Sequence, residues 1–128
     1  MKEKKRMSRI MIVEGDQHVR ELLVTYFAES PQEKHNVSSF SSAEKALEVI
    51  RQNPNAIDIV ISSNHLPGMD GVSFVEAVKN IRADIPTVLI SGYQISPCRT
   101  KADAFYLKPF DIEELGCAVR RLLPPVTA

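Results

Sequence analysis

The stretch "IVISSNHLPGMDG" at residues 59–71 decides the fold. It opens on an apolar run, as expected of a strand covered on both faces. It then enters "PGMDG", whose Pro67, Gly68, Asp70 and Gly71 are turn formers. Extended backwards the strand reads "IDIVIS", and beyond the turn Phe74, Val78 and Ile81 recur at helical spacing. Strand, turn and amphipathic helix make one βα unit, with Ser62 and Ser63 at the strand's carboxyl end.

The same unit recurs on either side. "RIMIV" (Arg9–Val13) is a second apolar strand, followed by a helix with Val19, Leu22, Leu23, Tyr26 and Phe27 on one face. "NVSSF" (Asn36–Phe40) is a strand; Ser41 with Glu44 forms a capping box for a helix carrying Ala46, Leu47 and Ile50, which "NPN" at residues 53–55 ends. "PTVLIS" at residues 86–91 is the fourth strand. The next twelve residues, "GYQISPCRTKAD", hold Gly92 and Pro97 and are barely long enough for a parallel crossover. A fourth helix is therefore expected to be shortened or replaced by a loop. "AFYL" (Ala104–Leu107) is a short fifth strand, and Asp111 with Glu114 starts a last helix striped by Ile112, Leu115, Val119 and Leu122. Five βα units in series predict a doubly wound parallel sheet with helices on both faces.

Composition bounds the function. One domain accounts for 128 residues. Sixteen basic and sixteen acidic residues cancel, so no whole-molecule field draws the chain to nucleic acid or an anionic membrane. The basic start "MKEKKRMS" reads as a solvated tail over residues 1–8, with the domain over 9–124, closed by Pro124-Pro125, and a short tail at 125–128. Cys98 and Cys117 form neither a metal-ligand spacing nor a disulfide framework, and no apolar run approaches the roughly 20 residues that span a bilayer. A cytoplasmic location is expected. Ligands of doubly wound sheets bind at the strands' carboxyl ends. The residues to interrogate are thus Glu14, Gly15 and Asp16, then Ser63 through Pro67, then Ser91 and Gly92, then Lys108 and Pro109.

Taken as an ordered set, "IVEGD", "DIVISSNHLPGMDG", "LISG" and "YLKPF" resemble the receiver domains of two-component response regulators, from about Ile10 to Leu123. The resemblance implies a flavodoxin-like (βα)5 fold with strand order 2-1-3-4-5. In that family a histidine kinase passes a phosphoryl group to an aspartate after strand three, with Mg²⁺ held by two acids after strand one. A Ser/Thr and a Lys hold the phosphoryl oxygens. By resemblance Lys108 is the pocket cation, Ser91 the hydroxyl and Phe105 the switch aromatic, with a cis peptide before Pro109.

The acidic positions depart from the family. Alignment on "PGMDG" puts Ser63 at the phosphoacceptor and Gly15 at the main metal-binding acid, leaving Glu14. Asp58 cannot substitute, since five residues of strand put it roughly 16 Å from Ser63. A serine needs a general base before it can attack, and only Glu14 or Asp16 is near. Its hydroxyl is expected to bond nearby turn backbone instead. Mg²⁺ prefers carboxylates in octahedral geometry. With Glu14, Asp16 and the His65 carbonyl as its remaining ligands, a weak or absent site is expected, and no other cofactor. Without crowded carboxylates, Lys108 is free to pair with Glu14.

Other candidates have structural readings beside them. Asp16 is expected to cap the amide of Val19. Glu14, Asp16, His18 and His65 form a possible transition-metal set, against which His18 points along a helix surface. His35 reads as a solvated loop residue. Cys98 lacks a partner thiol, and Cys117 lies off the apolar stripe, either partly exposed or in an interface.

The resulting expectation is a stand-alone, non-enzymatic pseudo-receiver in a two-component or phosphorelay pathway, binding a histidine kinase, another regulator or an output protein. Two rivals stay open. One is a working phosphotransfer switch on Ser63 or Asp16. The other is a small-molecule-binding flavodoxin-like protein, against which "EGDQH" holds one glycine where a dinucleotide loop needs three.

Overall fold

The computed structural model describes residues 7–31 and 34–123. The chain runs β1 (Arg9–Val13), α1 (Gln17–Glu29), β2 (Asn36–Phe40), α2 (Ala43–Gln52), β3 (Ile59–Ser63), α3 (Gly71–Ile81), β4 (Thr87–Ser91), β5 (Ala104–Leu107) and α4 (Ile112–Leu122). Single 3₁₀ turns lie at Pro54–Ala56 and Pro97–Arg99. All strands are parallel, in the order β2-β1-β3-β4-β5.

Alternation along the strands explains the continuous apolar runs. Met11, Val13 and Val60 face α2 and α3, packing on Leu47, Ile50, Phe74 and Val78. Their neighbours Ile10, Ile12, Ile59 and Ile61 face the other way, onto Leu23 and Phe27 of α1 and Leu115 and Val119 of α4. Both faces are therefore dry, as parallel sheets require.

Register then sets the site. Val13 lies opposite Ser62, which brings Glu14 beside Ser63. Ser63 pairs with Ile90, and Ser91 with Leu107, so Lys108 follows at the same level. The peptide between Lys108 and Pro109 is cis, as the resemblance implies.

The fourth helix is replaced. Residues 92–103 contain only the 3₁₀ turn, and Ile95 holds them down by packing against Val75 and Leu89. Other expectations are corrected. Leu22 is 52% exposed, because Leu23 and Phe27 already fill the space over the sheet. Ser42, not Ser41, is the N-cap of α2, and it makes no side-chain capping bond. Glu44 lies instead against the turn after β3: a Cβ on Gly68, whose φ is +77°, would stand 2.6 Å from Glu44 Oε2. His35 is buried rather than solvated, its Nδ1 accepting from the Ser8 amide at 3.2 Å. Ser8 is buried as well and accepts from the Asn36 amide at 2.9 Å, so it belongs to the domain and not to the tail. The rest of the basic tail, apart from exposed Met7, lies outside the described residues, as do the Pro124-Pro125 stop and the 125–128 tail.

Candidate functional site

The site is built from four strand ends. Glu14 follows β1 and is 2% exposed. Its amide donates to the Phe40 carbonyl at 3.0 Å, and its own carbonyl accepts from Arg20 Nη1 at 2.7 Å. The side chain is thereby aimed inward. Oε1 meets Lys108 Nζ at 3.3 Å, and Oε2 accepts from the Asp16 amide at 3.0 Å. Lys108 Nζ also donates to Ser63 Oγ at 3.3 Å. Glu14, Lys108 and Ser63 thus form one chain of contacts across β1, β5 and β3.

Ser63 is 2% exposed. The backbone bond expected of it falls to its neighbour, since Ser62 Oγ donates to the Ser63 carbonyl at 2.9 Å while Ser63 Oγ faces the lysine. A cleft of about 480 Å³ opens beside it, walled by Glu14, Gly15, Asp16, His65, Leu66, Pro67 and Lys108. Ser63 is not one of its walls.

Asp16 is the N-cap of α1. Its Oδ1 accepts from the amides of His18 at 2.8 Å and Val19 at 3.2 Å. The Val19 amide first, and that of His18 next, hold its carboxyl below the ordinary range. The expected cap at Val19 is present, and its carboxylate is committed to the helix. His18 and His65 are both exposed, and among the described residues no group of three or more His, Cys, Asp or Glu is placed to hold a metal ion. Gly15 leaves room. A Cβ there would meet Pro67 Cδ at 3.6 Å and the His65 carbonyl oxygen at 3.7 Å, both ordinary contacts.

Ser91 closes β4, 2% exposed, with its Oγ accepting from the Tyr93 amide at 3.1 Å. Phe105 is half-buried against the Val75, Leu89 and Ile95 cluster. The turn after β3 is fixed by Asp70, which caps α3 by accepting from the Ser73 amide at 2.9 Å. Gly71 is required by close approach, because a Cβ there would overlap the Ser63 carbonyl oxygen. Cys98 and Cys117 are free and exposed.

Asn64 lies inside the Ser63 to Pro67 strand end that the sequence marks out, whereas nothing in the sequence points to Tyr93. Asn64 Nδ2 donates to the Tyr93 hydroxyl at 3.2 Å across the ends of β3 and β4. Twenty-nine positions separate the two residues, and only the β3/β4 register brings them together.

A doubly wound sheet in this strand order, with a cleft at the β1/β3 switch point, is a flavodoxin-like fold. The response regulator receiver domain family matches residues 10–120, and the chain belongs to that family. The two-component response regulator ARR10 of Arabidopsis thaliana is 32% identical over 112 residues, covering 84% of this chain and 20% of that protein. The regulatory protein AtoC of Escherichia coli is 28% identical over 122 residues, covering 91% and 25%. The chain spans a quarter or less of the length of these relatives. Among solved structures, the receiver domain of the hybrid histidine kinase CckA superposes with a TM-score of 0.75 at 27% identity, covering 91% of this chain and 99% of that one. A receiver domain protein from Clostridium thermocellum reaches 0.81 at 18% identity, covering 91% and 94%, a likeness of fold alone. The domain is a receiver of two-component signalling. No helix among its described residues is long and apolar enough to cross a membrane.

Proposed function

We propose that this receiver works as a protein-interaction module whose state is not set by aspartyl phosphate, docking a histidine kinase, another regulator or an output protein. The observation that carries the reading is the contact chain from buried Glu14 through half-buried Lys108 to buried Ser63. Lys108 donates to the Ser63 oxygen, so that oxygen faces a proton donor rather than a base. Glu14 has one oxygen on Lys108 and the other on the Asp16 amide, and Asp16 turns its Oδ1 to two helix amides. The polar group against the Ser63 hydroxyl is the Lys108 ammonium, not a carboxylate that could take its proton. Attack on a phosphoryl donor lacks its first step.

The family's Mg²⁺ does not fit these donors. A hard cation wants carboxylate oxygens and waters in octahedral array. Here position 15 offers no side chain, position 63 offers a hydroxyl, and an ammonium already holds the Glu14 carboxylate. Mg²⁺ binds weakly at best, and the domain acts by binding rather than by catalysis. Local recognition also suits a chain whose formal charge is zero.

The test is an amide-resolved NMR titration with Mg²⁺ and then beryllofluoride, which mimics a phosphoryl group on aspartate. The peaks of residues 14–16, 63–65, 91 and 108 are expected to stay in place. A Gly15→Asp, Ser63→Asp double variant is expected to respond where the parent does not, since the backbone at Gly15 accepts a side chain without clash. Saturating shifts in the parent that spread to Phe105 overturn the reading. So does kinase-dependent phosphate on the parent: hydroxylamine-labile phosphate means an acyl phosphate, and resistant phosphate lost in Ser63→Ala means a serine switch.

A further inference from the structure

We infer that Asn64 and Tyr93 form a built-in tether, which closes the segment after β4 onto the end of β3 without any ligand. The inference rests on the reading above only in that the tether closes the segment with no phosphoryl group present.

The segment 92–103 needs an anchor at its near end. It has no α-helix to satisfy its own backbone, and its internal bonds lie beyond its near end, from the Arg99 amide to the Ser96 carbonyl at 2.9 Å, between Ser96 Oγ and Cys98 Sγ at 3.0 Å, and from the Ala102 amide to Thr100 Oγ1 at 3.2 Å. Its middle is held by Ile95, 4% exposed. Its far end is held by Asp103, which bonds Lys79 and the Thr87 amide. At the near end stands Tyr93.

Tyr93 is 62% exposed, so burial of its ring is not what places it. Polar contacts are. Its amide donates to Ser91 Oγ at 3.1 Å, and its hydroxyl accepts from Asn64 Nδ2 at 3.2 Å. The donor is preorganised. Asn64 is 5% exposed, its amide donates to the Ile90 carbonyl at 2.7 Å, and its carbonyl accepts from the Gly71 amide at 2.9 Å. Its side-chain oxygen accepts from the Val72 amide at 2.9 Å, which fixes the direction of Nδ2. A rigid amide at the end of β3 thus points at a phenol that has little else to hold it, and the phenol's own backbone engages the Ser91 hydroxyl. Tyr93 thereby links Asn64, just past β3, to Ser91 at the end of β4.

Native-state amide exchange by NMR tests the tether. Tyr93→Phe removes one oxygen from an exposed ring and leaves the fold intact. Losing one hydrogen bond of ordinary net strength is expected to speed exchange at residues 92–95 about fivefold, with β1 amides unchanged. In an Asn64→Ala background the same Tyr93→Phe change is expected to add nothing, because the bond is already gone. Unchanged exchange at 92–95 in Tyr93→Phe overturns the tether, as does an equal effect with and without Asn64; if Asn64→Ala does not fold, the single Tyr93→Phe result decides. Beryllofluoride added to the parent separates the two ideas. A response there with fivefold faster exchange in Tyr93→Phe sinks the phosphate reading and keeps the tether, whereas silence with unmoved exchange does the reverse.

Discussion

The two ends of the sheet are held in similar ways, though only one of them is where a receiver does its chemistry. At the amino end of β4, Lys79 Nζ bonds Asp103 Oδ2 at 2.7 Å and the Ile85 carbonyl at 2.6 Å, and Asp103 Oδ2 also accepts from the Thr87 amide at 2.8 Å. Nearby, Asp58 grips the side chain and amide of Arg9. At the carboxyl end, Glu14, Lys108 and Ser63 contact one another, and Asn64, Tyr93 and Ser91 form a second network. Among the described residues no buried side-chain nitrogen or oxygen lacks a partner. A switch needs groups whose partners can be exchanged. With glycine at 15 and serine at 63, the buried polar side chains of the carboxyl end are satisfied from within, which supports the proposed reading of that end as a structural joint.

The largest effect that tests this likeness is at Gly71, where α3 starts against the carboxyl end of β3. A Cβ there would overlap the Ser63 carbonyl oxygen and lie 2.7 Å from Asn64 Cα and 2.8 Å from Leu89 Cδ1. Two of these are backbone atoms and cannot turn aside. Gly71→Ala is expected to cost about 3 kcal/mol, read as a lower urea midpoint at unchanged slope. A cost under about 0.5 kcal/mol, the level of an ordinary surface change, would show that this end yields where a joint would not.

Next comes the ion pair itself. Glu14's side chain is 3% exposed and that of Lys108 29%. Removing one partner of a buried pair costs about 3–5 kcal/mol, and partial solvation of the lysine reduces this to about 2 kcal/mol for Lys108→Ala. Changing both, as Lys108→Met with Glu14→Gln, is expected to cost less than the single change, since no buried charge is left alone. Equilibrium unfolding of the three proteins checks the order. A double variant worse than Lys108→Ala would mean that the pair itself stabilises the fold.

At the amino end, Asp103→Ala strips an acceptor from the Thr87 amide and hydroxyl and from Lys79. Thr87 is fully buried, so its amide is left without a partner, at a cost of about 1.5 kcal/mol. Unfolding midpoints of similar depression for Asp103→Ala and Lys108→Ala would sharpen the likeness between the two ends. A midpoint at Asp103→Ala equal to the parent's would break it.

Much of this was legible in the chain. The central strands β1, β3 and β4 are apolar runs bounded by turn formers, as dryness on both faces of a parallel sheet requires, whereas the edge strand β2, "NVSSF", is legible only from its place between two helical stripes. The missing helix was legible from length alone, as twelve residues with a glycine and a proline cannot make a crossover helix. Glu14, Ser63, Ser91 and Lys108 were legible as strand ends. Local rules failed where a distant partner outcompeted them. Glu44 gave up a capping box for the turn at Gly68, and His35 left solvent to accept from Ser8, each drawn by a neighbour that only the fold supplies. Ser63's partner was likewise misread, because a lysine forty-five positions away took the hydroxyl that turn backbone was expected to hold. Tyr93 carried no signal, its partner being set by register across two strands.

The smallest effect belongs to the most exposed pair. Arg9 Nε and Nη2 each meet Asp58 at 3.2 Å and the Arg9 amide donates to Asp58 Oδ2 at 2.7 Å, with side chains 47% and 25% exposed. Burial pushes the Asp58 carboxyl up, and the hydrogen bonds and charge of Arg9 more than offset it, leaving the group below its ordinary value of 3.8. A carboxyl depressed in the folded state adds stability that is complete above its unfolded value and lost as pH falls through the folded one. Asp58→Asn is therefore expected to cost about 0.7 kcal/mol at neutral pH, a screened surface value that shrinks in high salt. The gap to the parent narrows as pH drops below 3.8. Urea midpoints across pH 3 to 7 test this, with Gly71→Ala as the control: its cost is steric and involves no proton, so its deficit stays flat over the range in which that of Asp58→Asn fades. A flat deficit for Asp58→Asn as well would mean that the carboxylate's charge contributes nothing and that hydrogen-bond geometry alone joins β1 to the start of β3.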